Sequence, residues 1–156
     1  MGKIKVAVAG VGNCCSALVQ GVHHYLAAKD EKGVGILNFE IGGYRVSDIE
    51  FVAAFDVDAR KVGQDLSKAI FAEPNNTIKF SDVRELGATV QKAEVLDGVG
   101  EYIREKITVS PTSAVDISEV LKSNGAEILI NFLPTGAVKA SRYYAVEAMD
   151  AGCGYV

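Results

Sequence analysis

Two glycines, Gly10 and Gly12, stand between an apolar run and a helical pattern near the start of the chain. The run covers residues 3–9 and is rich in valine, isoleucine and alanine, which is typical of a parallel strand buried on both faces. From Asn13 onward the apolar spacing becomes that of a helix, with Leu18, Val22, Tyr25 and Leu26 on one side. A strand, a glycine turn and a helix in immediate succession predict the first unit of an α/β fold.

The same alternation of strand and helix continues along the chain. Strands are predicted at residues 49–55, 127–132 and 155–156. Helices are predicted at residues 62–70, where Pro74 ends the pattern, and after Gly136 to about residue 151, where Gly152 ends the helix. These patterns predict a Rossmann-like, doubly wound parallel sheet with right-handed crossovers. The length is that of one domain, residues 1–156.

Two stretches are harder to organise. Residues 30–44 carry four glycines without a clean period and are interpreted as an extended loop inserted before the second strand. Residues 75–110 show only short strand patterns, at 78–80, 89–90 and 106–109. Beyond them, the spacing of Ser113 and Asp116 resembles a capping box ahead of a helix that stops at Gly125.

Composition excludes several classes of protein. With 16 basic and 20 acidic side chains, the chain has no electrostatic footprint for nucleic acid or an anionic membrane. No apolar run approaches the roughly 20 residues of a membrane span, and the start of the chain has no signal layout. Its cysteines, Cys14, Cys15 and Cys153, form neither a metal-type pair nor a disulfide framework. A cytoplasmic protein is expected.

The glycine turn has a mechanical use at a phosphate site. Gly10 permits a tight turn, and Gly12 lets the main chain approach a pyrophosphate whose charge the helix N-terminus stabilises. Cys15 replaces the third glycine of the usual fingerprint. Taken singly, the loop is also compatible with a glycine turn that binds no ligand.

Asp56 ends the second strand, where a carboxylate accepts hydrogen bonds from the adenosine ribose and repels a ribose phosphate. NAD is therefore favoured over NADP, although Arg60 and Lys61 leave room for NADP. Gly12 and Asp56 are further apart than the usual spacing of about 20 residues, which we attribute to the inserted loop. The alternative is that Asp56 caps the next helix, a role for which Asp58 competes.

Thr135 and the segment 75–77 each allow two interpretations. Thr135, in the loop 133–136 after a core strand, is placed to cap the next helix, and the loop is also placed to line the cofactor, and these two interpretations are compatible. The segment 75–77 offers amides and a hydroxyl to a ligand, or forms a turn after Pro74. His23 and His24 have no partner at ligand spacing, which favours packing over catalysis. No nucleophilic triad, P-loop lysine or metal cluster is present, so any chemistry would be that of the cofactor.

Several blocks in order resemble one particular family, the inositol-3-phosphate synthases of bacterial and archaeal type, in their N-terminal NAD-binding part. The resemblance covers nearly the whole chain and is carried by Val11-Gly12-Asn13-Cys14, Ile49 to Asp58, Lys61-Val62-Gly63, Asn75-Asn76-Thr77-Ile78-Lys79, Leu96-Asp97-Gly98 and Leu133-Pro134-Thr135-Gly136. Two positions depart from the family pattern, because Cys15 and Thr135 stand where alanine and valine are expected.

The resemblance implies a redox-neutral isomerisation of glucose 6-phosphate to inositol phosphate by internal oxidation with NAD, aldol closure and reduction. It assigns Gly10, Gly12, Asn13 and Cys14 to the cofactor phosphates and Asp56 to the ribose. Asn76, Thr77, Pro134 and Thr135 would lie near the cofactor. In that family the catalytic lysines follow in a continuation of the chain, which also forms the oligomer. No catalytic residue is therefore expected in residues 1–156, and an uncovered sheet is expected to associate into a homo-oligomer.

Two other functions remain open at this point. One is the N-terminal half of a different NAD-dependent dehydrogenase, in which the same loop serves direct oxidation of another substrate. The other is a stand-alone nucleotide-sensing module that regulates a partner without catalysis. The order of the family blocks favours the synthase over both.

The isolated chain of 156 residues is predicted to be inactive as a cyclase, because the resemblance places the catalytic lysines outside it. Incubation with glucose 6-phosphate and NAD, followed by chromatography for inositol phosphate, tests this. A full-length synthase in the same buffer is the positive control. Formation of inositol phosphate by the purified chain would refute the prediction.

Overall fold

The structure is a computed structural model that describes residues 2–27 and 35–156. Its central sheet has five strands, and every pairing between them is parallel. In chain order they are β1 (Ile4–Ala9), β4 (Ile49–Asp56), β5 (Val90–Lys92), β6 (Ile128–Asn131) and β7 (Gly154–Tyr155), and in space they follow the order β5-β4-β1-β6-β7. This is the strand order of a Rossmann-like doubly wound sheet, so the predicted fold class is confirmed.

Helices cover both faces of the sheet. They are α1 (Asn13–Ala27), α2 (Leu66–Ala69), α3 (Glu101–Arg104), α4 (Ile117–Asn124) and α5 (Val138–Ala151). Gly125 and Gly152 follow α4 and α5 in the left-handed conformation, which satisfies the last helical carbonyl groups. The helix stops that the sequence predicted at these two glycines are thus confirmed.

The alternating side chains of β1 serve two separate cores. Val6 and Val8 pack with α1 and α2 on one face of the sheet, whereas Ala7 and Ala9 face α4 and α5 on the other. The small alanines leave room for an aromatic pair from β4 and α5, Phe55 and Tyr144, whose ring centroids are 6.0 Å apart. All of these side chains are buried, as a strand covered on both faces requires.

Three predicted elements differ from the structure. The helix predicted over residues 62–70 is limited to α2, because Asp65 accepts a hydrogen bond from Ser67 N and starts the helix there. Residues 78–80 form no strand, since Gln20 of α1 binds the N–H of Phe80 through its side chain. The capping box expected at Ser113 is also wrong, because Asp116 is the N-cap of α4.

The inserted loop is more ordered than expected in the part that the structure describes. A short hairpin, β2 (Glu40–Ile41) and β3 (Tyr44–Arg45), is followed by a 3₁₀ turn at Val46–Asp48. Residues 30–34 of the predicted loop lie outside the described residues. Of the other weak strand patterns, residues 89–90 lead into β5, and Val109 makes a single bridge to Asp58.

No helix in the described ranges is long and apolar enough to cross a membrane.

Gly10→Ala is predicted to destabilise the fold. Gly10 has φ +90°, and a Cβ there would lie 2.9 Å from the carbonyl oxygen of Phe132. Strain and overpacking together should lower the free energy of unfolding by about 2 to 4 kcal/mol, measured by urea denaturation. Gly12→Ala is the matched control, because a Cβ at Gly12 meets nothing within 4 Å, and its effect should stay within about 0.5 kcal/mol. Equal losses in both variants would contradict this account.

Candidate functional site

A cleft of about 480 Å³ opens at the carboxyl ends of β1, β4 and β6. Doubly wound sheets bind ligands at this edge, at the point where successive strands are added first on one side of β1 and then on the other. The cleft is lined by the glycine loop, by Asp56 and Val57 at the end of β4, and by residues of the 94–107 segment, most of them apolar. Its size is that of a small-molecule site.

The glycine loop is held close to both neighbouring strands. Gly10 N donates to Phe55 O at 2.8 Å, and Phe132 N donates to Ala9 O at 2.8 Å. Helix α1 then begins at Asn13, and Ser16 N donates to Gly12 O at 2.9 Å. The N–H groups of the first helical turn have no intrahelical acceptor, and with the helix dipole they favour an anion in front of the loop.

Asp56 ends β4 beside this loop. Its Oδ2 accepts from Val11 N at 2.8 Å, and its Oδ1 accepts from Val57 N at 2.7 Å and Asp58 N at 2.9 Å. The carboxylate is only partly buried and lines the cleft. Four lone-pair sites are available on an ionised carboxylate, so Asp56 can hold the loop and still accept a hydrogen bond from a ligand.

The carbonyl group of Val11 is held from the other side by Lys61 and Asn75. Lys61 Nζ donates to Val11 O at 2.8 Å and to Asn75 Oδ1 at 2.9 Å. Asn75 Nδ2 donates to Val11 O and to Ile70 O, at 3.0 Å each. Lys61 is only 4% exposed. Lysine and asparagine therefore fasten the glycine loop to the segment that follows α2.

The side chain of Asn13 is hydrogen-bonded to other residues of the protein. Asn13 Oδ1 accepts from Asn76 N at 2.8 Å and from Thr77 N at 3.1 Å and Oγ1 at 3.0 Å. Its Nδ2 donates to Asn76 Oδ1 at 2.8 Å. Asn76 and Thr77 thus lie against the start of α1. Their polar groups hold residues 76–77 in this position.

Asp58, which lines the cleft, forms a second anchor with Arg60. The Asp58 side chain is 1% exposed, and Arg60 Nη2 lies 2.8 Å from Asp58 Oδ2. Arg60 Nη2 also donates to Lys106 O at 2.7 Å. The hydrogen bond from Arg60 to Asp58 raises the pKa of the guanidinium, and the bond to Lys106 O joins this pair to the 106–109 segment.

One wall of the cleft is apolar and includes Val99, Ile103 and Ile107. Tyr144 of α5 also lines the cleft and is 3% exposed. Burial, and after it the charge of Asp56, raises the pKa of the Tyr144 phenol, which keeps this side chain neutral. Such a surface suits a flat apolar group next to a polar one.

The loop after β6 contributes Pro134 to the cleft. Thr135 is exposed and does not cap α5, whose N-cap is Ala137 without a side-chain hydrogen bond. Asp97 takes that role, because its carboxylate accepts from Lys139 N and Ala140 N at 2.8 Å each. The helix-cap interpretation of Thr135 was therefore wrong.

The cleft brings together five of the nine predicted site residues: Gly10, Gly12, Asn13, Asp56 and Pro134. Cys14, Asn76, Thr77 and Thr135 do not line it. Sequence reasoning missed Lys61 and Asn75 as loop anchors. The only available signal was their place in the Lys61-Val62-Gly63 and Asn75-Asn76-Thr77 blocks, since spacing does not show which side chain turns inward.

The two histidines take no part in this cleft. His23 Nδ1 lies 3.1 Å from Val19 O within α1, and His24 packs edge-on against Tyr25 and Phe80. Both contacts agree with the packing role favoured from the sequence. Across the described residues, no three His, Cys, Asp or Glu side chains converge in a way that would hold a metal ion.

The sequence matches no protein-family model, but curated proteins match it over its whole length. An inositol-3-phosphate synthase of Mycolicibacterium smegmatis is 49% identical over 156 residues, which is 99% of this chain and 43% of that protein. One from Mycobacterium tuberculosis is 47% identical over 155 residues, and one from Corynebacterium glutamicum is 46% identical over 154. The chain spans about 43% of the length of these relatives.

Solved structures agree with the fold. The crystal structure of Ari2 superposes with a TM-score of 0.81 at 36% identity, covering 99% of this chain and 44% of that one. A myo-inositol-1-phosphate synthase-related protein of Thermotoga maritima has a TM-score of 0.60 at 21% identity, covering 97% and 41%, and supports the fold alone. By its sequence, this chain is similar over its whole length to a part of longer inositol-3-phosphate synthases.

Proposed function

We propose that residues 1–156 form the NAD-binding domain of an inositol-3-phosphate synthase. The observation that carries the proposal is the placement of the α1 N-terminus and Asp56 on one cleft. The N-terminus of a helix is the group that binds a pyrophosphate, and a carboxylate such as Asp56 is the group that binds an adenosine ribose. The family relationship adds the enzyme class to this local chemistry.

The proposed contacts follow from the groups that remain available. The main-chain N–H groups of Gly12, Asn13 and Cys14 would bind the pyrophosphate, and Gly12 leaves the space that its close approach needs. Asp56 would accept a hydrogen bond from a hydroxyl of the adenosine ribose. The apolar wall, with Val99 and Ile107, would hold the adenine ring. Pro134 would border the cofactor directly, with Thr135 beside it.

Asn76 and Thr77 receive a narrower role in this proposal. Their polar groups are hydrogen-bonded to Asn13, so they would support the loop from behind. The side chain of Asn13 is engaged in the same way, which leaves its N–H for the phosphate. Three of the proposed cofactor-binding positions, Asn13, Asn76 and Thr77, thereby act as one unit at the start of α1.

The structure supports the choice of NAD over NADP in two ways. Asp56 would repel a phosphate on the adenosine ribose. The two cations that left room for NADP, Arg60 and Lys61, are held by Asp58 and by Val11 O, so neither is free to bind that phosphate.

The wider activity is proposed on the family relationship. NAD, when bound, would supply oxidation and reduction of a sugar phosphate, with glucose 6-phosphate as the proposed substrate. Residues of this chain would bind and orient the cofactor, and none of them is assigned to the chemical step. A homo-oligomer in the cytoplasm is part of the same proposal, and three free thiols are compatible with that compartment.

Calorimetric titration tests the cofactor proposal. The protein should bind NAD and show at least about tenfold weaker binding of NADP, because one repelled phosphate costs on the order of 1.4 kcal/mol. Asp56→Ala should lose most of the NAD affinity together with this preference. Glu50→Ala, a carboxylate removed at the opposite, exposed end of β4, is the control and should bind as the native protein does. No heat with either nucleotide, or tighter binding of NADP, would overturn the proposal.

Thiol labelling provides an independent test. Cys14 is exposed at the start of α1, whereas burial, followed by the charge of Asp56, raises the pKa of the buried Cys15 thiol to about 12. At pH 8 the thiolate of Cys15 is therefore scarce, and Cys14 should react first with iodoacetamide. NAD at saturation should slow this labelling about tenfold or more, as mass spectrometry of peptides would show. Cys14→Ser should remove the fast phase, and labelling that NAD leaves unchanged would count against a ligand at this helix end.

A further inference from the structure

The Val11–Gly12 peptide is the part of the phosphate loop with the most unusual surroundings. Its carbonyl oxygen accepts from Lys61 Nζ at 2.8 Å and from Asn75 Nδ2 at 3.0 Å. On the other side of Val11, the N–H donates to Asp56 Oδ2 at 2.8 Å. Val11 itself is fully buried. A cation and an anion therefore hold the two polar groups of one buried residue.

The orientation of this peptide decides what the loop presents to a ligand. In a trans peptide the carbonyl group and the following N–H point in opposite directions. Because Val11 O points at Lys61 and Asn75, the N–H of Gly12 must point away from them. Gly12 has no Cβ, so its own backbone angles restrict the orientation of this peptide less than those of any other residue would.

We infer that Lys61 and Asn75 are positioning residues which fix the Val11–Gly12 peptide with its N–H ready to receive a phosphate oxygen. This inference rests on the proposed function, because it assigns a cause to the loop geometry which that function uses. Without the two anchors, a rotated peptide would turn the Val11 carbonyl toward the anion and replace a donor with a repelling oxygen.

The charge of Lys61 has a second effect. Its side chain is 4% exposed, and among residues 2–27 and 35–156 its nitrogen makes no ion pair. The two partners it does have are neutral oxygens, of Val11 and Asn75. A buried charge without an opposite charge is costly, and an anion bound at the loop lessens that cost. Lys61 thus favours an anionic ligand without having to touch it.

The experiment compares adenosine with ADP, which adds only the two phosphates, and with NAD, which adds a nicotinamide riboside to the same diphosphate. Adenosine, ADP and NAD are titrated by calorimetry into the native protein, Lys61→Met and Lys68→Met. Lys68 is exposed on α2 and is the matched control for removal of a lysine charge. Lys61→Met should weaken ADP and NAD about tenfold to a hundredfold, the usual effect of losing a charge-assisted hydrogen bond. Adenosine affinity should change less than about threefold, and Lys68→Met should match the native protein with all three ligands.

A second readout reports on the peptide itself. In ¹⁵N–¹H spectra, ADP should shift the Gly12 amide resonance strongly in the native protein and weakly in Lys61→Met. If Lys61→Met does not fold, Lys61→Gln keeps a hydrogen-bond donor near Val11 O while it removes the charge. The affinity of Lys61→Gln for ADP should fall more than its affinity for adenosine, and the loss of ADP affinity should be smaller than in Lys61→Met.

The outcomes separate the inference from the function on which it rests. A native protein that binds none of the three ligands would refute the proposed function. Native binding with no loss of ADP affinity in the Lys61 variants would refute the positioning role alone. An equal loss of adenosine and ADP affinity would also refute it, because that result indicates general damage to the cleft.

Discussion

The contact between Gly10 and the main chain of Phe132 is the constraint on which the rest of the molecule depends. A Cβ at Gly10 would lie 2.9 Å from Phe132 O, so β1 can end between β4 and β6 only if this residue has no side chain. In the same region, the hydrogen bonds from Gly10 N to Phe55 O and from Phe132 N to Ala9 O connect the end of β1 to the ends of β4 and β6. Because the three strand ends converge here, the start of α1 and Asp56 come to face one cleft.

Around these strand ends, charged side chains bind main-chain groups and fix their conformation. Asp56 holds the N–H of Val11, and Lys61 holds its carbonyl group. The same strategy recurs where Asp97 caps α5 from a distant loop and where Asp58 binds Arg60. The buried Asp58 and the partly buried Asp56 are matched to main-chain N–H groups or to an opposite charge, and the buried Lys61 is matched to two neutral oxygens. These partners lower the cost of removing the three charges from water.

The success of sequence reasoning varied with how local the signal was. β1, α1 and β4 follow from runs of side chains that alternate or repeat within one element, and the stops at Gly125 and Gly152 follow from the conformational freedom of glycine. The 62–70 helix was overestimated, because Asp65 starts it later than the apolar pattern suggests. The 75–110 segment was hardest, since its order comes from long-range bonds such as Phe80 N to Gln20 Oε1.

The sequence by itself determined the order of strands and helices, the position of the glycine loop, and the presence of Asp56 after a strand, because each depends on residues close in the chain. Only the tertiary structure decided that Lys61 turns inward under the loop, that Asn13 binds residues 76–77, and that Asp97 rather than Thr135 caps α5. These pairings join residues 42 to 63 positions apart. No local pattern specifies such partners, since packing of the complete sheet and its helices brings them together.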